Sequence, residues 1–303
     1  MHPALRYCAM VCALIAATPA RAQNRGVYPL GMSATNSGVT PESGFSYTNQ
    51  PLFYGRDQAK DEDGKTLPVA GLNTVVMDMN TLTWVSTKRF LGARYSASAT
   101  LPFAKNDLTS DIGGQINSGG GFADSYYVPC ILGWSTAPAD VRVMYGFLAP
   151  TGRFTEGADN NVGSGYWTHT LSSGQTFYLE DRRLIFSAFE LYEFHTTQEE
   201  TGIHPGQTFD LDYSLMRSIW RTSSLVVQIG LAGYEARQAT GKVGPKITPE
   251  VSAERYAVNA SGLALIAAFP KRKASLGFRY FKEFADRATF QGYSVQISGT
   301  IHL

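Results

Sequence analysis

Cysteine is nearly absent from this chain. Its 303 residues hold 3, and two of them, Cys8 and Cys12, fall within the first 22 positions. Only Cys130 lies beyond that start, so an internal disulfide framework is excluded for the rest of the chain. An excess of charge of either sign is missing too, with 26 basic residues against 25 acidic ones. A nucleic-acid binder relying on a strongly basic surface is thereby excluded. The proline or charge excess of a disordered chain is also lacking, with 14 prolines and 17% charged residues. Long apolar runs are the last absence. The clearest, 8–17, falls short of the ~20 residues that a spanning helix needs. That run instead follows Arg6 and precedes the small-x-small site Ala20-Arg21-Ala22, which predicts a signal peptide over 1–22, cleaved near Ala22.

What is abundant is glycine, at 30 residues, and aromatic side chains, at 12%. An exported chain of this kind is either a periplasmic globular domain or an outer-membrane barrel. Periodicity separates the two. Tyr293, Val295, Ile297, Gly299, Ile301 and Leu303 alternate with Ser294, Gln296, Ser298, Thr300 and His302. In a strand these two sets point to opposite faces, one apolar and one polar. Ala93 to Leu101 and Thr208 to Leu215 alternate in the same way.

Twelve strands are predicted, at 45–54, 72–86, 92–102, 122–135, 141–150, 165–179, 184–197, 206–217, 224–238, 255–269, 274–284 and 290–303. Their connections alternate between tight (87–91, 136–140, 180–183, 218–223, 270–273) and mostly long (55–71, 103–121, 151–164, 198–205, 239–254). An up-and-down transmembrane β-barrel has this asymmetry, with short periplasmic turns and longer outer loops, and an even strand count. A Greek-key sandwich gives no reason for it. The expectation is therefore an all-β, closed antiparallel barrel over 44–303, preceded by an irregular periplasmic segment or small plug at 23–43. Trp84, Trp134 and Trp220 lie near or within tight turns and are expected to form a periplasmic aromatic girdle. Strands two and seven are ambiguous. Glu190 shares a parity with Tyr192 and Phe194, and a carboxylate facing lipid is costly, so a bulge or a rim position is expected there.

Candidate lumen-lining residues are Arg94, Arg142, Asp210, Asp212, Arg279 and Glu283, on polar faces, and Glu193 with His195, which share a parity on the ambiguous strand seven. As a functional set they would tune the selectivity of a passing solute. As a structural set they would be a paired network bracing the bore, which is the commoner fate of buried charge. His169 with Ser172 and Ser173 invites comparison with outer-membrane lipid hydrolases. Ser173, however, lies about 13 Å along the strand from His169, beyond hydrogen-bond reach. No catalytic residue, metal site or cofactor is expected: the histidines 169, 195, 204 and 302 show no metal-ligand spacing. Cys130, in alternation with Tyr126, Val128, Leu132 and Trp134, is expected to face lipid.

Several segments stand out together: Ala139-Asp140-Val141, Tyr145 to Gly152, Gly165-Tyr166-Trp167-Thr168-His169, Tyr192 to His195, His204-Pro205-Gly206-Gln207 and Arg279 to Phe284. In order and spacing the chain, from about Gly44 onward, resembles the outer-membrane family named after the meta-pathway of phenol degradation. That resemblance implies a barrel acting as a transporter or channel, with small, aromatic or otherwise hydrophobic solutes as cargo. No catalytic residues carry over. The reading is an outer-membrane channel of a Gram-negative bacterium for passive uptake of small organic solutes. Its partners would be outer-membrane lipid, the barrel-assembly machinery and the solute, with no nucleic acid. The rivals are a barrel enzyme acting on lipid, through His169 or His195, and a sealed structural barrel.

Overall fold

Two-residue alternation of apolar and polar side chains, repeated between turn signals, leaves each strand with two unpaired edges. The chain removes them by closing the sheet on itself. The computed structural model describes residues 25–110, 114–245 and 247–303, so the expected signal peptide at 1–22 lies outside the described residues. The strands are β1 Gly44–Ala59, β2 Gly71–Phe90, β3 Ala93–Ser110, β4 Gly114–Asn117, β5 Gly121–Phe122, β6 Ser125–Ser135 and β7 Ala139–Ala149. There follow β8 Thr168–Leu179, β9 Leu184–His195, β10 Thr208–Arg221, β11 Val226–Gln238, β12 Ala257–Phe269, β13 Ala274–Glu283 and β14 Phe290–His302. A short helix, α1 Pro249–Ala253, sits between β11 and β12, with Thr248 as its N-cap.

Every pairing is antiparallel. β1 pairs with both β2 and β14, and β2 also pairs with β3, so β1–β3 and β6–β14 form a closed ring. The short β4 and β5 add to β3 outside that ring. The fold is the expected twelve-stranded up-and-down transmembrane barrel, with every strand edge satisfied inside the wall, as a membrane demands. Its outer surface carries exposed Leu82, Phe103, Leu171, Leu231, Leu263 and Ile297. At one end lie short turns. The tightest places Leu91 and Gly92 at φ 49° and 76°, and Lys273 closes another at φ 48°. At the other end lie the longer connections, with 60–70, 150–167 and 196–207 among them, and the short β4 and β5.

Local irregularities correct several expectations. β2 continues through the expected turn at 87–91 to Phe90, with a register shift between Val85 and Arg89. Trp84 lies within β2, opposite Phe45, as its place in the predicted strand 72–86 implies. β10 runs past a bulge at 218–220 to Arg221, so Trp220 is a strand residue rather than a turn residue. In β6 one extra residue, around Val128-Pro129, shifts the register against both β3 and β7. Proline has no N–H to give the ladder, which favours a bulge at this point. The parity of β6 therefore flips. Val128 is buried on the inner face, while Cys130 pairs with the outward Tyr145. Cys130 does face outward, but not on the face of Tyr126 and Val128.

The register of β9 runs without a bulge: Ile185, Ser187, Phe189, Leu191, Glu193 and His195 are buried and face in. Glu190 therefore faces out at mid-strand, contrary to the bulge or rim position expected for it. Its carboxylate is met by Ser173 Oγ at 2.6 Å and Gln175 Nε2 at 3.0 Å, both from β8.

Residues 25–43 thread the bore from the long-loop end, where Arg25 meets Glu283, to the short-turn end, where Pro41 meets Arg94. Leu30 and Ala34 join Ile185, Met216, Tyr234 and Phe281 in one buried cluster, and Met32 packs on Leu52, Tyr54 and Met79 in a second. Glycines allow the segment to lie directly on the wall. A Cβ at Gly174 would sit 2.1 Å from Ser37 O, and one at Gly133 would sit 1.9 Å from Thr40 Oγ1.

Candidate functional site

Three wall carboxylates hold the N-terminal segment by its backbone and its polar side chains. At the long-loop end of β13, Glu283 receives Arg25 Nη1 at 2.5 Å and Nη2 at 3.1 Å, Tyr234 Oη at 3.0 Å and Gly292 N at 2.7 Å. Arg25 also donates to Phe290 O and lies 3.5 Å from Asp286 Oδ2. On β9, Glu193 accepts the amides of Val27 and Tyr28 at 3.1 and 2.7 Å. On β10, Asp212 accepts the amides of Gly31 and Ser33 and the Tyr28 hydroxyl, at 2.9, 3.0 and 2.6 Å. An irregular segment has backbone donors with no ladder to join, and ionised acceptors satisfy them strongly.

The remaining candidates line the same bore. His195 Nδ1 lies 2.8 Å from Thr168 Oγ1, and its Nε2 lies 3.3 Å from Glu193. Arg279 donates to Thr35 Oγ1 at 2.9 Å, and Arg94 donates to the Pro41 carbonyl at 2.8 Å. Arg142 lies beside Gly174 and the segment's Ser37. Asp210 is buried, yet its Oδ2 has no hydrogen-bond partner. The tryptophans lie on the outer wall: Trp84 and Trp220 are exposed, and Trp134 donates to the Leu91 carbonyl at 3.1 Å.

The sequence reading missed residues that the structure brings to the bore. Arg25 and Tyr28 carry no periodic signal. Arg56 falls beyond the predicted end of strand one, although it shares its parity with Leu52 and Tyr54. Asp124 was read as strand, but it collects Gly152 N at 2.8 Å and both Ser164 N and Oγ at 2.6 Å. Burial pushes the Asp124 carboxyl upward against those hydrogen bonds. Asp124 thus ties the start of β6 to the 150–167 loop.

Beside residues 25–32 the bore holds a cavity of about 460 Å³. Met32, Val75, Met77, Met79, Leu148 and Leu191 give it apolar walls, and Arg56, Asp124, Glu193 and Asp210 add charge. The hydrolase constellation does not assemble. His169 is exposed on the outer wall and bonded to Tyr145 Oη at 2.9 Å, while the Ser173 hydroxyl is taken by Glu190. Among the described residues no group of histidine, cysteine and carboxylate side chains is arranged to hold a metal ion.

The family model described as MetA-pathway of phenol degradation matches residues 56–298. The chain belongs to this family. Among solved structures it is similar to an outer membrane channel from Pseudomonas putida F1, with a TM-score of 0.70 and 12% identity over 89% of this chain and 98% of that one. It is also similar to the beta domain of the Bordetella autotransporter Brka, with a TM-score of 0.52 and 13% identity over 86% of this chain and 100% of that one. At these identities the likeness concerns the fold. No curated protein matches the chain.

Proposed function

We propose that this family member is a passive channel of the Gram-negative outer membrane for small organic solutes with substantial apolar surface. The observation that carries the reading is the cavity of about 460 Å³, walled by methionine, valine and leucine, lying inside a closed barrel beside its N-terminal segment. Apolar pockets of ~300–1,000 Å³ are the size that takes a small organic ligand. In this reading residues 1–22 are removed on export, 23–43 plug the barrel at 44–303, and passage requires part of that plug to shift. The charges on the wall serve two ends. Glu193, Asp212 and Glu283 fasten the plug, with His195 held against Glu193, while Arg94, Arg142, Asp210 and Arg279 set the field beside the path. Trp84, Trp134 and Trp220 anchor the periplasmic boundary in outer-membrane lipid. The partners are that lipid, the assembly machinery during biogenesis, and the solute. No enzymatic step belongs to this reading.

Uptake of a small neutral aromatic by liposomes containing the mature barrel, together with planar-bilayer conductance, tests it. Accelerated uptake is the expected result. If neither aromatic nor ion crosses, the sealed structural barrel takes its place.

A further inference from the structure

The geometry points to a binding site in the upper lumen for an aromatic carboxylate, with Arg56 on β1 as the residue that receives the carboxylate group. This deepens the channel reading by naming a solute class, and it rests on that reading only for transport, not for binding.

Arg56 differs from the other cation at this level of the bore. Arg25 is paired with Glu283 and lies beside Asp286. Arg56 has no ion-pair partner among the described residues. Its Nη1 donates to Asn73 Oδ1 at 3.2 Å, its guanidinium lies 4.6 Å from the centroid of the Tyr54 ring, and its buried Nε has no acceptor. Arg56 is half-buried with a buried donor unused, which is costly, and the cost is relieved when an anion entering the cavity supplies the missing acceptor. A carboxylate meets that fork with two parallel hydrogen bonds.

The rest of the cavity selects the body and the orientation of such a ligand. Met32, Met77 and Met79 lie on the Arg56 side. Thioethers are adaptable and make favourable contacts with aromatic rings. Glu193 and Asp210 line the far wall, on β9 and β10, and β9 stands six places from β1 around the ring. An anionic head is repelled from that wall and drawn to Arg56, while a ring fits the apolar space between. A neutral aromatic gains the ring contacts but leaves the guanidinium unsatisfied. A solute with two carboxylates would have to place one against the acidic wall.

The test is calorimetric titration of the detergent-solubilised mature barrel with benzoate and with its neutral isostere benzamide. It uses wild type, Arg56→Gln and Arg56→Lys, each checked for folding by its heat-dependent gel mobility. Benzoate should bind at least tenfold more tightly than benzamide. Arg56→Gln should remove that preference without weakening benzamide, and Arg56→Lys should retain part of it. Equal binding of the two probes to wild type, no benzoate binding at all, or an unchanged preference in Arg56→Gln overturns the assignment. If the glutamine variant fails to fold, the lysine variant and the benzoate-to-benzamide ratio of wild type decide. Neutral-aromatic uptake in liposomes without benzoate binding would overturn this site and leave the channel standing. Benzoate binding without any uptake would do the reverse.

Discussion

Arg25 and Glu283 are separated by 258 residues in the chain and by 2.5 Å in space. The pair fastens the irregular N-terminal segment to the long-loop end of β13, with both side chains almost wholly withdrawn from solvent. Removing one partner leaves the other charge buried and unpaired, which costs about 3–5 kcal/mol. Arg25→Met should therefore loosen the segment more than a substitution on the exposed pair Lys65–Asp63 would. Faster proteolytic clipping between residues 25 and 43, with the barrel intact, is the expected observation. Equal clipping rates in both variants would show that the segment is held without this ion pair.

The segment is also held by fit. A methyl group at Gly174 would stand 2.1 Å from the Ser37 carbonyl oxygen. At Gly299, on the outer face of β14, it would meet nothing closer than Leu276 Cδ2 at 3.6 Å. Gly174→Ala should cost about 1–3 kcal/mol through overpacking, whereas Gly299→Ala should be close to neutral. Thermal unfolding in detergent separates the two. A raised single-channel conductance in Gly174→Ala alone would show that the displaced element is the N-terminal segment.

How far the architecture was legible depends on which residues carried the period. From Tyr293 to Leu303 the alternation is unbroken, and β14 lies where it was expected. Around Asp210 and Asp212 the alternation identified their common face. It could not identify what fills the space before them, because residues 25–43 have no period and touch the wall through hydrogen bonds scattered over eight strands. Pro129 shows the second limit. One inserted residue reverses every later side chain, so Tyr126 and Val128 were grouped with Cys130 when they face the other way. Glu190 shows the third. Its outward placement runs against the cost of a carboxylate in lipid, and it became intelligible only once Ser173 and Gln175 were seen beside it on the neighbouring strand.

Asp210 and Asp212 share a face but not an environment. Asp212 is saturated by Tyr28, Gly31 and Ser33, whereas Asp210 has a carboxylate oxygen without a partner. Replacing both with Asn should alter the ion selectivity of any conductance, because lining charges act at short range in a narrow bore. Asp210→Asn alone should account for the change in selectivity. Asp212→Asn should instead mainly destabilise the segment. Phe209→Leu, on the outer face, should leave both unchanged. Reversal potentials in asymmetric salt measure the first effect. A shift produced by Asp212→Asn and not by Asp210→Asn would contradict this division.

His169 separates the channel from a lipid-acting enzyme. Its imidazole is bonded to Tyr145 on the outer wall, with no carboxylate and no free serine at hydrogen-bond distance. His169→Ala should give a folded barrel with the same negligible phospholipid turnover as wild type. Phospholipase or deacylase activity in the pure protein, lost in this variant, would restore the enzyme reading.

Asp286 gives the assembly a pH dependence. It lies in the connection between β13 and β14, accepts the amide of Asn259 at 2.9 Å, and faces both Arg25 and Glu283. Burial and the Glu283 carboxylate push Asp286 up to about 7, against the opposing pull of Arg25. Its folded pKa thus exceeds the ordinary carboxylate value near 3.9 of an unfolded chain. The native state then binds more protons between those values, so stability falls as pH rises through this range. The contribution is fully present below pH ~4 and lost above about 7. Unfolding midpoints in detergent should therefore be lower at pH 8 than at pH 6. Asp286→Asn, which keeps an acceptor for Asn259 N and cannot ionise, should reduce that difference. A difference of unchanged size in the asparagine variant would assign the pH dependence to another group.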